Sequence, residues 1–125
     1  RTVLEAESVV FNSASSGLYF EGLLKKMGVY EQIEAMVVRY ATGAEVMEHV
    51  LKGKGKEVGF GPITEILLEK RGLRLVGPLP AEIQNLTAYV AVPMSAGANK
   101  EIAGAFVRFL GGPIGKPLFV AAGIE

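Results

Sequence analysis

Three apolar runs in the first half of the chain are each followed directly by small and polar residues. The runs Ser8–Asn12, Met36–Tyr40 and Val58–Gly61 show little alternation between apolar and polar positions, a pattern typical of parallel strands buried on both faces. Helical patterns separate them, so strand and helix alternate three times. This order predicts an α/β fold with three layers, in which helices flank a parallel or mixed sheet.

Each of these three strands leads into the start of a helix. Serines within Ser13–Gly17 open the first helix, and we expect Ser15 or Ser16 to cap it. Thr42, with a glutamate three residues later, has the spacing of a capping box at the start of the second helix. Pro62 suits the first position of the third helix, because its fixed φ is helical and its missing N–H would have no partner there.

Apolar stripes on these helices fit burial against a sheet. The stripe of the first helix runs from Phe20 to Met27, and Gly28 is suited to end that helix in a left-handed conformation. The second helix is predicted to end at Gly53, and the third is predicted to end near Lys70. Glycines therefore set most of the predicted helix ends.

The second half of the chain is predicted to hold two further strands and two further helices. Leu73–Val76 and Thr87–Pro93 fit strands, with a proline-rich break between them. We expect Asn99 to cap a fourth helix and Pro113 to start a fifth, each with an apolar face. The second, third and fifth strands are expected to be central in the sheet, and residues 1–125 are expected to form a single domain.

Composition narrows the functional classes. The chain carries 13 lysines and arginines against 13 acidic residues, and no basic block is interleaved with aromatic residues, which argues against a nucleic-acid partner. Cysteine is absent, so disulfides and thiolate chemistry are excluded. No apolar run reaches the roughly 20 residues of a membrane-spanning helix. Because the chain begins at Arg1, we expect it to be a processed product or an excised piece.

Patterns for catalysis and metal binding are weak. His49 is the only histidine, and the acidic residues include no aspartate. We expect His49 to lie on the surface, away from the carboxyl ends of the strands, and we predict no enzymatic activity, no metal and no cofactor. The run Lys52–Lys56 lacks the spacing of a phosphate-binding loop and precedes a strand instead of a helix, so a solvated turn is favoured.

The helix starts indicate a different chemistry, the binding of a small anion. Parallel strands end at one edge of a sheet, where the unpaired N–H groups and positive dipole ends of the following helices collect. Glu45 counts against the second helix start if its carboxylate points toward the same edge. The candidate donors are backbone N–H groups and hydroxyls of Ser13, Ser15, Ser16, Thr42, Gly43, Ala44, Gly61 and Ile63.

Seven segments between about Ser8 and Glu125 form a combined pattern: Tyr40–Val46, Lys54–Gly61, Thr64–Ile66, Val76–Gln84, Phe106–Leu110, Gly112–Pro113 and Ala121–Gly123. Together they resemble the molybdate-type extracellular solute-binding proteins of ABC transporters. This family has a type 2 periplasmic-binding fold, in which two α/β lobes joined by crossing strands close on a ligand. The resemblance implies that the chain is the second, C-terminal lobe with the helices that return to the first lobe, and that the first lobe is missing from it.

The resemblance implies the substrate-binding component of an ABC transporter, located in the periplasm or outside the cell. Such a protein holds a small oxyanion (molybdate, tungstate or a sulfate-like anion) or an organic anion between its lobes, by hydroxyls and backbone N–H groups without a positive side chain. The resemblance places the second-lobe donors at Thr42, Gly43 and Ala44 and at the turn around Gly61. A ligand-facing tyrosine of the family falls beside Tyr89.

The same resemblance implies partners other than the anion. These are the membrane subunits of the transporter and the missing first lobe. Because that lobe is absent, we expect the last two helices to bury their apolar faces by self-association of the chain.

Two further functional classes fit the same fold. A ligand-sensing effector domain of a transcription regulator would have a DNA-binding segment upstream of Arg1, whereas a transport protein would have a signal peptide there. An enzyme built on these lobes is disfavoured, because His49 is the only histidine and aspartate is absent.

Overall fold

The computed structural model describes residues 1–68 and 72–124, which fall into two compact units, Arg1–Asn85 and Leu86–Glu125. The first unit also has short 3₁₀ turns at Thr2–Leu4, Glu34–Met36 and Ala81–Ile83. The helices of the second unit are α5 (Lys100–Leu110) and α6 (Gly115–Ala121). The strands and helices of the first unit are β1 (Ser8–Asn12), α1 (Ser15–Lys26), α2 (Tyr30–Ile33), β2 (Val37–Tyr40), α3 (Gly43–Lys52), β3 (Glu57–Phe60) and α4 (Ile63–Leu68).

The three strands form a parallel sheet in the order β2-β1-β3. Asn12 of β1 lies opposite Tyr40 of β2, and Phe11 of β1 lies opposite Phe60 of β3. All three strands therefore run in one direction and end at the same edge of the sheet. The prediction of an α/β fold with flanking helices is confirmed, and within the described residues every strand pair of the sheet is parallel.

β1 is the central strand, so the expectation that the second, third and fifth predicted strands are central was wrong. Val9, Val10 and Phe11 have no exposed surface, because helices cover both faces of β1. Side chains alternate between the faces of a strand. Val9 and Phe11 join a cluster with Phe20 of α1, while Val10 points to the face covered by α3. Burying one such side chain contributes about 1.5–3 kcal/mol.

α2 is a short helix that the apolar pattern does not predict. Four residues hold too few repeats for helical periodicity to show. Tyr30 and Ile33 are nevertheless buried in the cluster beneath α1. The guanidinium of Arg39 donates to the Tyr30 hydroxyl at 2.6 Å and to the Glu21 carboxylate at 2.7 Å. This network fixes α2 against β2 and the side of α1.

Most of the predicted helix ends are confirmed. α1 ends before Gly28, whose φ is 69°, and α3 ends at Gly53. Met27 was expected in the buried stripe, but it is 58% exposed because the helix already ends at this residue. The predicted end of the third helix at Lys70 lies outside the described residues.

The turn between α3 and β3 is built around a carboxylate of the chain itself. The backbone N–H groups of Lys54 and Gly55 donate to the Glu57 carboxylate at 2.9 and 2.8 Å. Backbone hydrogen bonds lower the pKa of Glu57, and the hydrogen bond from Lys54 has the largest effect. Residues 52–56 are exposed, so the prediction of a solvated turn is confirmed. The N–H groups that a phosphate-binding loop would offer are used here by Glu57.

Two predicted strands do not form. Neither Leu73–Val76 nor Thr87–Pro93 is assigned as strand in the described part of the chain, so both predictions were wrong. Strand propensity reflects the packing of side chains against neighbouring strands. Here Val76, Tyr89 and Val90 are 80–85% exposed, and no strand among the described residues packs against them.

The second unit consists of an irregular segment and two helices. α5 follows Asn99 as predicted, but the Asn99 side chain makes no capping hydrogen bond. α6 starts at Gly115, two residues later than the expected start at Pro113. Ile102 and Phe106 on the apolar face of α5 are 68% and 58% exposed. The expected self-association through these helices stays a prediction.

The start of α1 approaches the end of β1 so closely that only glycine fits there. A Cβ at Gly17 would overlap the backbone carbonyl oxygen of Asn12, whereas a Cβ at Gly22 in the same helix would have nothing within 4 Å. A backbone oxygen cannot rotate away as a side chain can. The contact therefore fixes the position of α1 relative to β1.

We expect Gly17→Ala to lower the free energy of unfolding by about 1–3 kcal/mol, because relieving the overlap requires the backbone to shift. Gly22→Ala is the matched control and is expected to raise it by roughly 0.5–1 kcal/mol, since alanine is the better helix former. Urea unfolding followed by circular dichroism measures both. Equal stability of the two variants would contradict the close approach.

A second prediction concerns acid stability. Folding lowers the pKa of Glu57, so its carboxylate stabilises the fold above the unfolded pKa, and this contribution is lost as the pH falls through the folded pKa. Glu57→Gln should therefore be less stable than the original chain at neutral pH and should lose less stability on acidification. Urea unfolding between about pH 3 and pH 7 measures this, with Glu31→Gln on α2 as the control. An unchanged pH profile in Glu57→Gln would refute the role of the carboxylate.

Candidate functional site

The three junctions between strand and helix lie along one edge of the sheet. The parallel register brings the ends of the three strands together. The backbone N–H of Ser13 also donates to the carbonyl of Tyr40 at 2.8 Å, which joins the first junction to the end of β2. We call Ser13–Gly17, Ala41–Ala44 and Gly61–Ile63 the carboxyl edge.

The order of the strands singles out this edge further. From the central strand β1 the chain crosses to β2 on one side and later returns to β3 on the other. Ligands of open α/β sheets bind outside the carboxyl ends of the strands, where connections diverge in this way. The carboxyl edge is therefore the candidate functional site.

Asn12, the last residue of β1, caps the first junction. Its side-chain Oδ1 accepts hydrogen bonds from the N–H of Ala14 at 3.2 Å, the N–H of Gly17 at 3.1 Å and the hydroxyl of Ser16 at 3.2 Å. The expectation that Ser15 or Ser16 caps α1 was wrong, because an amide oxygen from the preceding strand already fills that position. The Ser16 hydroxyl is held by this bond, while the N–H groups of Ser15 and Ser16 have no acceptor within the helix.

A capping box forms at the second junction, as predicted. The N–H and the hydroxyl of Thr42 donate to Glu45 Oε2 at 2.9 and 2.8 Å, and the N–H of Glu45 donates to Thr42 Oγ1 at 3.3 Å. The Thr42 hydroxyl hydrogen is thus used by Glu45, whose negative charge lies at the start of α3. The N–H groups of Gly43 and Ala44 are the first-turn donors outside this box.

The third junction is a glycine–proline turn. The Pro62 carbonyl accepts from the N–H of Glu65 at 3.1 Å and of Ile66 at 3.2 Å. Gly61 is exposed, and α4 starts at Ile63. The Ile63 N–H therefore has no acceptor within α4.

The carboxyl edge contains no lysine or arginine. Arg39, one residue before the end of β2, is bound to Glu21 and Tyr30. The hydrogen bond from Lys25, together with that from Arg39, lowers the pKa of Glu21, so this cluster is internally compensated. Whatever positive potential the edge presents comes from backbone N–H groups and helix dipoles.

His49 is half-buried, and its ring is hydrogen-bonded instead of free in solvent. Its Nε2 lies 3.0 Å from Ser8 Oγ, and its Nδ1 lies 3.0 Å from the Tyr40 hydroxyl. A hydroxyl can donate or accept, so this arrangement fits either ring tautomer. The histidine joins α3 to the start of β1 and the end of β2. Because both ring nitrogens have partners, the geometry supports a structural role.

Tyr89 lies in the second unit, in a segment without strand structure, and is 80% exposed. Its predicted role at the ligand therefore stays a prediction. No cluster of three metal-ligating side chains occurs in 1–68 or 72–124. Over the same residues, no helix combines the length and the apolar character needed to span a bilayer.

Sequence reasoning missed two residues that shape the edge, Asn12 and Glu65. The signal for Asn12 was available, since asparagine is a favoured capping residue and stands immediately before the serines. Glu65 lies in the first turn of α4, yet its carboxylate contacts Gly43 at the start of α3. No local pattern reveals such a contact between two helices.

The chain is similar to one described family of proteins. The chain matches no curated protein and no solved structure. Residues 8–125, nearly the whole chain, match the family described as bacterial extracellular solute-binding protein. The match covers the sheet, the carboxyl edge and both helices of the second unit. The chain belongs to the family of bacterial extracellular solute-binding proteins.

Proposed function

We propose that the chain is part of the substrate-binding component of an ABC transporter and binds a small oxyanion or organic anion at the carboxyl edge. The observation that carries the proposal is the gathering of three helix starts at the point where the strand connections diverge. Molybdate, tungstate and sulfate-like anions are the proposed ligands, because they offer only acceptors to a surface of N–H and hydroxyl donors.

The proposed donors differ in whether an acceptor of the chain already binds them. The N–H groups of Ser15, Gly43, Ala44 and Ile63 are first-turn donors that a helix leaves unpaired. Thr42 can offer its hydroxyl only after Glu45 releases it. The full set of proposed ligand-binding residues is Ser13, Ser15, Ser16, Thr42, Gly43, Ala44, Gly61 and Ile63, with Tyr89 as a further prediction.

The binding free energies available at the carboxyl edge indicate that this edge alone is a weak site. A helix N-terminus contributes about 0.3–1 kcal/mol to holding a negative charge, and a charge-assisted hydrogen bond contributes about 1.5–3 kcal/mol. Micromolar affinity needs about 8 kcal/mol after the cost of ordering the ligand. We therefore propose that a second lobe closes over the anion and excludes water, with the present chain supplying the second lobe's donors.

The remaining features of the proposal follow from the family. Its members are described as extracellular, and we propose the periplasm or the cell exterior as the location. The proposed protein partners are the membrane subunits of the transporter. We propose no catalytic step and no cofactor.

Titration of the isotope-labelled chain with sodium molybdate, followed by amide NMR, tests the proposal. We expect shifts of the Ser15, Gly43, Ala44 and Ile63 amides with a dissociation constant on the order of millimolar, because the few donors of the carboxyl edge hold an anion weakly. Sodium chloride at the same ionic strength is the control and should not produce this pattern. Shifts confined to the turn at Gly55, or none at all, would count against anion binding at the carboxyl edge.

A further inference from the structure

A carboxylate from α4 occupies the start of α3. Glu65 Oε2 lies so close to Gly43 that a Cβ at this glycine would overlap it. The oxygen is fully buried, and it has no hydrogen-bond partner within the part of the chain that the structure describes. A buried acceptor without a donor is unusual, because such groups are normally paired. The contact therefore calls for an explanation beyond packing.

This oxygen lies beside the first turn of α3, where a Cβ of residue 43 would be, and no first-turn N–H of α3 donates to it. α3 has ten residues, and its first-turn N–H groups make this end the positive end of the helix dipole. A carboxylate there is electrostatically favourable even without a direct hydrogen bond. It also fills the space over Gly43, so a ligand atom and Glu65 Oε2 cannot be there together.

A second negative charge lies beside the first. Glu45 accepts from Thr42 at the same helix start, and the carboxyl edge contains no lysine or arginine. An incoming dianion would thus meet two carboxylates of the chain. Like charges at contact distance in a partly buried site repel strongly. Glu45 is held by the hydrogen bonds of the capping box. Movement of Glu65 Oε2, in contrast, would break no hydrogen bond with a described residue.

We propose that Glu65 is an internal plug of the second junction: its carboxylate occupies the start of α3 in the unliganded chain and leaves when an anion binds there. The proposal rests on the proposed function and adds a competitor built into the site. Turning outward would expose Oε2 to water, which can donate the hydrogen bond that this oxygen lacks. The plug therefore weakens anion binding without blocking it.

The test compares sulfate binding in three forms of the chain by amide NMR at constant ionic strength. Glu65→Gln removes the competing charge and can donate through its amide, so we expect sulfate to bind at least tenfold more tightly, with shifts at Gly43 and Ala44. Glu82→Gln removes one negative charge outside the carboxyl edge and is expected to stay within about twofold of the original chain. These factors correspond to roughly 1.4 and 0.4 kcal/mol.

Gly43→Ala supplies a second measurement that needs no ligand. The added Cβ takes the place of Glu65 Oε2, so the carboxyl carbon resonance of Glu65 should move toward the value of an exposed glutamate. An unmoved resonance in a folded Gly43→Ala chain would overturn the plug. This variant keeps the proposal testable if Glu65→Gln does not fold.

The outcomes separate the plug from the proposed function. Sulfate shifts at the carboxyl edge with equal affinity in the original chain and Glu65→Gln would overturn the plug and leave the proposed function standing. The absence of sulfate shifts in both would overturn the plug and also count against anion binding at this edge. Tenfold tighter binding in Glu65→Gln alone would support both.

Discussion

The burial of β1 on both faces is the constraint on which the rest of the structure depends. Val9, Val10 and Phe11 have no exposed surface, so helices must cover both sides of the strand and parallel neighbours must flank it. Parallel pairing in turn requires crossover connections, which are helical here. The three helix starts therefore arrive at a single edge as a consequence of how one five-residue strand is buried.

Several hydrogen-bond donors at this edge are already bound by acceptors of the chain itself. Asn12 accepts from the start of α1, and Glu45 accepts from the start of α3. Glu65 Oε2 covers Gly43 and accepts no hydrogen bond from residues 1–68 or 72–124. The turn at the opposite edge follows the same rule, since Glu57 takes its backbone donors. A chain that supplies its own acceptors is stable without an anion, and a ligand has to compete with those acceptors.

Local sequence patterns predicted what depends on neighbours along the chain. The runs that became β1, β2 and β3 show little alternation between apolar and polar positions, and the capping box at Thr42 needs only a spacing of three residues, so both could be found. The predicted strand at Thr87–Pro93 failed because strand formation depends on a partner strand, which composition does not reveal. The contact between Glu65 and Gly43 joins separate helices, so no periodicity encodes it. The fold class could thus be predicted from the sequence, whereas the side chain that occupies the start of α3 could not.

The most direct test of the central claim is anomalous X-ray diffraction from crystals of the chain grown with sodium tungstate. Tungsten gives a strong anomalous signal, so the anion can be placed without prior assumptions. The account predicts a peak at the carboxyl edge, within hydrogen-bonding distance of first-turn amides such as those of Gly43 or Ile63. A tungstate peak in a different part of a well-ordered molecule, with the carboxyl edge empty, would contradict it.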